Sequence, residues 1–201
     1  MTEIDVVIRE TRAERARLVA TLADLSPEQW AADSLCSGWR VREVVAHMAM
    51  PFRTSLPRFL GGMVRSRFDF NRFADHDARA TAQRMTDEEL LHVMRDNIDH
   101  PWTPPGGGKV GALSHDLIHG LDITVPLGLA GPPPSRVEIV LASAGPKQLK
   151  YFGVDIGRLR LVATDADVSI GDGPTRLLTA SDLVLVVTGR RRLADVDSES
   201  A

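Results

Sequence analysis

The sequence predicts a mostly α-helical protein: a four-helix bundle over residues 1–130, a small α/β appendage over 131–193 and a flexible tail over 194–201. Three observations carry that prediction. Apolar residues recur at helical spacing through several long stretches before residue 130, enough for a bundle. After Gly153 the period shortens to two, with Leu159, Leu161 and Ala163 alternating with Arg160, Val162 and Thr164, the pattern of a strand. Between these regions Gly131-Pro132-Pro133-Pro134 reads as a boundary.

The elements follow in order. Residues 3–25 form a first helix through Ile4, Val7, Ile8, Thr11, Leu18, Leu22 and Leu25, and its stripe is interrupted where Glu14 and Arg15 take apolar positions. Ser26-Pro27-Glu28-Gln29 is a capping box with Pro at the first helical position, opening a short helix that carries Trp30. A loop, Asp33 to Gly38, leads to Trp39. The second long helix begins near Arg40 or Val41 and carries His47; Pro51 kinks it or ends its first part, and the pattern resumes through Phe52, Leu56, Phe59, Leu60 and Met63. A third helical stretch spans 68–84, with Phe68, Phe70 and Phe73 near its start. Thr86-Asp87-Glu88-Glu89 caps another helix, through Leu90, Leu91, Val93, Met94 and Ile98. Pro101, Pro104-Pro105 and Gly106-Gly107-Gly108 enforce a loop before a helix from about Val110 to Thr124, which Pro126 and Gly128 stop. A helix follows Ser135 through Leu149, weakened by its Gly145-Pro146 step. Strands are expected at 159–164, 168–170 and 175–178, then a last helix from Asp182 to Arg192 capped by Ser181, and a frayed polar tail from Ala194.

Composition narrows the function classes. At 201 residues the chain buries enough surface to fold without a disulfide or structural metal, so a metal site here would be functional rather than a staple. A net charge of −3 and a pI near 6.1 speak against a nucleic-acid binder. The only basic run, Arg190-Arg191-Arg192, reads as a charge complement to a helix C-terminus. The single cysteine, Cys36, excludes an intramolecular disulfide and zinc sites built from cysteine pairs. The acidic N-terminus lacks a secretory pattern, and no apolar run is long enough to span a bilayer. The expectation is a soluble cytoplasmic protein without membrane or nucleic-acid partners, acting on a small molecule; bundles of this type often pair, which makes a homodimer an open partner state.

The chemistry-bearing motif is Ser114-His115-Asp116-Leu117-Ile118-His119-Gly120-Leu121-Asp122. Histidines four apart on a helix differ by only about 40° and about 6 Å, so both imidazoles leave one face. Two neutral imidazoles can grip one metal ion, and Asp122, nearly on the same stripe, can fix a tautomer by accepting the second N–H. A third ligand must come from elsewhere. His47 is the candidate, inside the apolar run Val41-Arg42-Glu43-Val44-Val45-Ala46-His47-Met48. Glu43, four residues earlier, shares its face and either supports it or favours the helix N-terminus. Arg53, beyond the Pro51 kink, is either an anion contact or a solvated arginine. His76, His92 and His100 sit in charged or Pro-flanked surroundings and read as surface residues. Cys36 approaches a helix N-terminus, where a thiolate would be stabilised, but packing outweighs catalysis because free cysteines are usually buried. Trp39 reads as a packing anchor.

The string Leu35-Cys36-Ser37-Gly38-Trp39 through His47-Met48 resembles the signature of the DinB-like superfamily, and within it the mycothiol-dependent maleylpyruvate isomerase metal-binding domain. The run Gly157 to Asp167 with Gly171-Asp172-Gly173 resembles the tail of that branch. The resemblance implies a four-helix bundle with a divalent metal between helices, held by His47, His115 and His119. It also implies thiol-dependent isomerase or transferase activity, with mycothiol or another low-molecular-weight thiol as cosubstrate. The chain departs from the characterised isomerase branch at His115, where that branch carries Glu; three histidines are typical of the wider superfamily.

Three histidines leave Zn²⁺ an open position, the arrangement of a catalytic site, where a thiol would bind as thiolate or a water would be acidified. Zinc is the default; imidazole also suits nickel, iron and copper. The alternatives are a metal-dependent hydrolase, and a non-catalytic or stress-response protein binding a small apolar ligand between bundle and tail.

Overall fold

The structure, a computed structural model, describes residues 2–142 and 146–199. The chain opens on α1 (Glu3–Ala23), whose start is fixed by a reciprocal capping box between Thr2 and Asp5. Its partner on one side is α8 (Gly108–Thr124), and the two make the most extensive helix–helix contact of the bundle together with α3 (Val41–Met48) on α6 (Phe70–Arg84). The helix α7 (Asp87–Asp96) packs on both α1 and α3, and α3 also meets α8. The short α2 (Pro27–Ala31) has the predicted cap, Ser26 accepting from the Gln29 amide, and buries Trp30 under α3. The core between these helices is made by Leu18, Leu22, Val44, Val45, Met48 and Leu90 with their neighbours.

Pro51 acts as the sequence predicts: α3 ends at Met48, and the chain restarts as α4 (Met50–Arg53) and then α5 (Leu56–Arg65). The resumed apolar pattern does form a helix. It does not become core, since Leu56, Leu60 and Val64 are exposed. Inward-facing Phe59 instead meets Phe73 edge-on, with ring centroids 5.3 Å apart. Phe68, expected inside the third helix, stands before it in a left-handed turn with Arg67 and is exposed; Asp69 caps α6. The helix opened at Thr86 stops short of Ile98.

The C-terminal part packs on α8 from the other side. After α9 (Pro134–Ala142) and α10 (Pro146–Tyr151), β1 (Arg160–Ala163), β2 (Ser169–Ile170) and β3 (Thr175–Leu178) form a sheet of order β2-β1-β3. Strand β1 pairs antiparallel with β2, Leu161 opposite Ile170, and parallel with β3, Leu161 opposite Arg176. The alternation read from the sequence is real: Leu161 and Ala163 point into the core, which they share with Leu183 and Val184 of α11 (Ala180–Val187) and with Leu113, Leu117 and Leu121 of α8. The Gly145 half of the Gly145-Pro146 step lies outside the described residues.

Three expectations for this region are corrected. The last helix starts at Ala180, because Thr179 rather than Ser181 accepts the Asp182 amide, and it ends at Val187. Arg190, Arg191 and Arg192 therefore lie beyond the helix and bind Asp122, Asp182 and Asp195 respectively. The chain after Arg192 is not frayed at once: α12 (Leu193–Glu199) follows, anchored by buried Val196. Among the described residues no helix is long and apolar enough to cross a membrane.

Candidate metal centre

Helices α3 and α8 meet where α3 carries His47 and α8 carries His115 and His119. The three imidazoles converge: ring centroids lie 5.4 Å apart for His47 and His115, 4.9 Å for His47 and His119, and 4.8 Å for His115 and His119. One nitrogen from each falls within 4.8 Å of the other two. Nitrogens bound at about 2.0–2.1 Å to one tetrahedral cation lie roughly 3.4 Å apart, so small side-chain rotations bring this set to coordination distance.

Two of the rings are held in a defined tautomer. His119 Nδ1 is 2.9 Å from Asp122 Oδ2, and His115 Nδ1 is 3.0 Å from Asp116 Oδ1. With the Nδ1 proton donated to a carboxylate, each ring keeps Nε2 as a lone-pair donor. Both carboxylates are buried, and each is braced by an arginine. Arg15 Nε donates to Asp116 Oδ2 at 2.8 Å, and Arg190 Nε donates to Asp122 Oδ1 at 3.2 Å. Two Arg–Asp–His chains thus reach the cluster, one from α1 and one from the segment after α11. Burial works to raise both carboxyl pKa values. The bonds from the histidines and the arginine charges overcome it, leaving Asp116 low and Asp122 at about 2.

His47 differs. It is buried, and its Nδ1 has no hydrogen-bond partner among the described residues. Desolvation, reinforced by His119, His115 and Arg53, holds its pKa well below the usual histidine range. Burial likewise lowers His119, against the pull of Asp122. Neutral imidazoles and one buried, unsatisfied ring nitrogen are what a cation site requires of its donors. The residues fit a divalent metal.

Tryptophans flank the cluster. The Trp39 ring lies 5.3 Å from His47, pinned by its indole N–H donating to Asp75 at 2.7 Å, and Trp102 lies 5.1 Å from His115. Cys36 comes close too. Its loop is tied to α8 by the Leu35 amide donating to the Asp122 carbonyl at 3.0 Å, and its thiol donates to Asp122 Oδ2 at 3.0 Å. Burial and the Asp122 charge push that thiol's pKa far up, which opposes the nucleophile reading and agrees with packing. Cys36, His119 and Asp122 form a second grouping of metal-capable atoms. Its carboxylate already receives His119, Arg190 and the thiol, so it is the poorer donor set.

Two of the sequence expectations are corrected here. Glu43 does not support His47: it accepts from the Arg40 amide at 2.9 Å and from the Arg40 guanidinium at 2.6 Å, closing the start of α3. A carboxylate at the first turn finds the free amide there before it finds a ring one turn on. Arg53 is not free for an anion: its guanidinium is bound to Asp77 and sits largely buried. His76, His92 and His100 are exposed, as expected, and none of them joins the grouping of metal-capable atoms. Asp116, Arg15, Arg190 and Trp102 were not among the site residues the sequence suggested. The adjacent Asp116 carried no signal, because neighbouring residues on a helix do not normally face each other.

Residues 11–100 match the family model described as the mycothiol maleylpyruvate isomerase N-terminal domain. The match is to that segment, a little under half of the chain. His47 lies inside the matched segment and His115 and His119 beyond it. Two solved structures, the mycothiol-dependent maleylpyruvate isomerase and a histidine-to-alanine mutant of it, superpose with a TM-score of 0.63 at 11% identity, covering 94% of this chain and 90% of theirs. At that identity the likeness is one of fold, and it extends through bundle and appendage alike. A search of curated proteins gives no match.

Proposed function

We propose that the protein is a metal-dependent enzyme of the thiol-using isomerase or S-transferase type, with His47, His115 and His119 as ligands of one divalent cation, zinc by default. The observation that carries the reading is the convergence of three imidazoles, two of them oriented by buried carboxylates. A bound cation supplies Lewis acidity there, lowering the pKa of a coordinated thiol or water so that it is nucleophilic near neutral pH. The protein's own part is preorganisation. Asp116 and Asp122 keep the Nδ1 protons and aim Nε2 inward, Arg15 and Arg190 keep those carboxylates ionised, and Trp39 and Trp102 restrict water on two sides. The cosubstrate class, a low-molecular-weight thiol such as mycothiol, is drawn from the family and from a three-ligand set that leaves a coordination position for sulfur.

The test is metal analysis of untagged protein, followed by cobalt substitution and titration with a small thiol. The expected result is about one metal per chain, reduced to background in His47→Ala and in His119→Ala, with a sulfur-to-cobalt charge-transfer band growing as thiol is added. Metal retained in both variants, or a cobalt spectrum indifferent to thiol, overturns the proposal. Ester turnover without added thiol would instead favour a hydrolase.

A second reading has one observation behind it. A cavity of about 490 Å³ lies between α8 and the appendage, walled by Val110, Ile118, Val140, Phe152, Val184 and Val187. Its size and lining suit a small apolar ligand. Binding there that survives His47→Ala with the metal gone would favour a non-catalytic carrier.

A further inference from the structure

A different cavity, of about 650 Å³, opens between α5 and α6, with Asp77, the partner of Arg53, in its lining and none of the three cluster histidines. Arg58 and Arg65 lie seven residues apart, so they leave α5 on one face, and they line this cavity with Arg72 and His76 of α6. Phe73 forms part of its wall, and Gly62 lets α5 approach that ring: a Cβ at Gly62 would sit 2.2 Å from Phe73 Cε2. Asp77, the one carboxylate in the lining, is already bound by Arg53. The guanidiniums of Arg58, Arg65 and Arg72 make no ion pair or hydrogen bond with any described residue, the one bond to Arg72 from a side chain being that of its backbone amide to Asp69. A protein of net charge −3 thus gathers three uncompensated guanidiniums around one concavity. Like charges gathered there repel one another, and a bound counter-ion relieves that cost.

We infer that the α5–α6 cavity is a binding site for a small multivalent oxyanion of the phosphate class, separate from the three-histidine cluster. Guanidinium forks match phosphate oxygens bidentately, and three of them recognise a di- or triphosphate better than a single carboxylate. The volume is that of a small-molecule site, which favours a soluble ligand over a polymer.

Titration calorimetry on the full chain, stripped of metal and in about 0.15 M salt, tests this with inorganic pyrophosphate as the probe. Saturable binding of one pyrophosphate per chain is expected, stronger than for orthophosphate and weakened by added salt. Arg65→Gln and Arg72→Gln should each cost roughly tenfold in affinity and together abolish binding, with circular dichroism unchanged. His119→Ala should leave binding intact, which keeps this result independent of the metal proposal. Non-saturable heats, affinity unchanged in the double variant, loss of binding in His119→Ala, or binding only to anionic phospholipid vesicles would each overturn the inference.

Discussion

Arg15 is the side chain on which the site leans most heavily. It is 1% exposed, ion-paired to Asp116, bonded to the His100 carbonyl at 2.6 Å and stacked 5.3 Å from the Phe52 ring centre. Breaking a buried pair from one side strands the other charge, at a cost of about 3–5 kcal/mol. Asp116→Ala should therefore lower the urea midpoint by that equivalent and also weaken metal binding, whereas Asp195→Ala, in an exposed pair, should change neither. Acid should act in the same direction. His47 and His119 have lowered pKa values, so between those values and about 6.5 the unfolded chain binds more protons than the folded one. Their contribution is complete above about pH 6.5 and drains as the pH falls below it. Asp116 and Asp122 repeat the sign lower down, complete above about pH 3.9 and lost toward the low folded values. Chelator-treated protein should show a lower urea midpoint at pH 5.5 than at pH 7.5, and His47→Gln should flatten the difference; a midpoint rising on acidification would contradict the assignment. At this scale the histidines were legible because their spacing is a helical period. Glu14 and Arg15 looked like defects in an apolar stripe because nothing in a local pattern says that Arg136 and Asp116 arrive from more than a hundred residues away.

Helices with strong end signals were the easiest elements to read. Ser26 and Thr86 both form the reciprocal boxes that their spacing announces. Burial was harder, as α5 shows: its periodicity is that of a core helix, yet only one edge touches the bundle, and Leu56 and Leu60 face outward. Periodicity reports that a helix has a preferred side, not that a neighbour exists to cover it. Gly120 is the contact on which α1 and α8 depend, since an added Cβ would lie 2.9 Å from Leu18 Cδ2 and 3.3 Å from Glu14 Oε1. Gly120→Ala should destabilise by about 1–3 kcal/mol by overpacking, measured by thermal melting, and loosen metal retention because His119 is its neighbour. A variant as stable as the wild type would show that α1 yields more readily than its buried Glu14–Arg136 pair suggests.

At the scale of the molecule, bundle and appendage were legible as a change of period near residue 153, and the superposition over both parts agrees with that architecture. Their dependence on each other was not legible. Leu113, Leu117 and Leu121 belong to the core of the C-terminal part, while Ile123 of the same helix belongs to the bundle core. Arg190 then crosses from the C-terminal segment to Asp122, 68 positions earlier in the chain. We propose that 1–130 and 131–193 are not separable units: a fragment ending at residue 130 should be poorly soluble or should melt without a cooperative transition, as read by circular dichroism and size exclusion. A soluble, cooperative fragment that still binds metal would refute that. The sequence divides the chain where its composition changes; the physical division is blurred because one helix must cover two apolar surfaces at once.

From Gly111 to Thr124 no residue of α8 is exposed. A helix with one wet side tolerates substitution every third or fourth position; this one has no such side. Saturation mutagenesis across the segment should thus give a tolerance profile without the usual 3.6-residue rhythm. The stretch that carries two candidate ligands would then be among the slowest parts of the protein to diverge, for reasons of packing alone and whether or not a metal is ever bound.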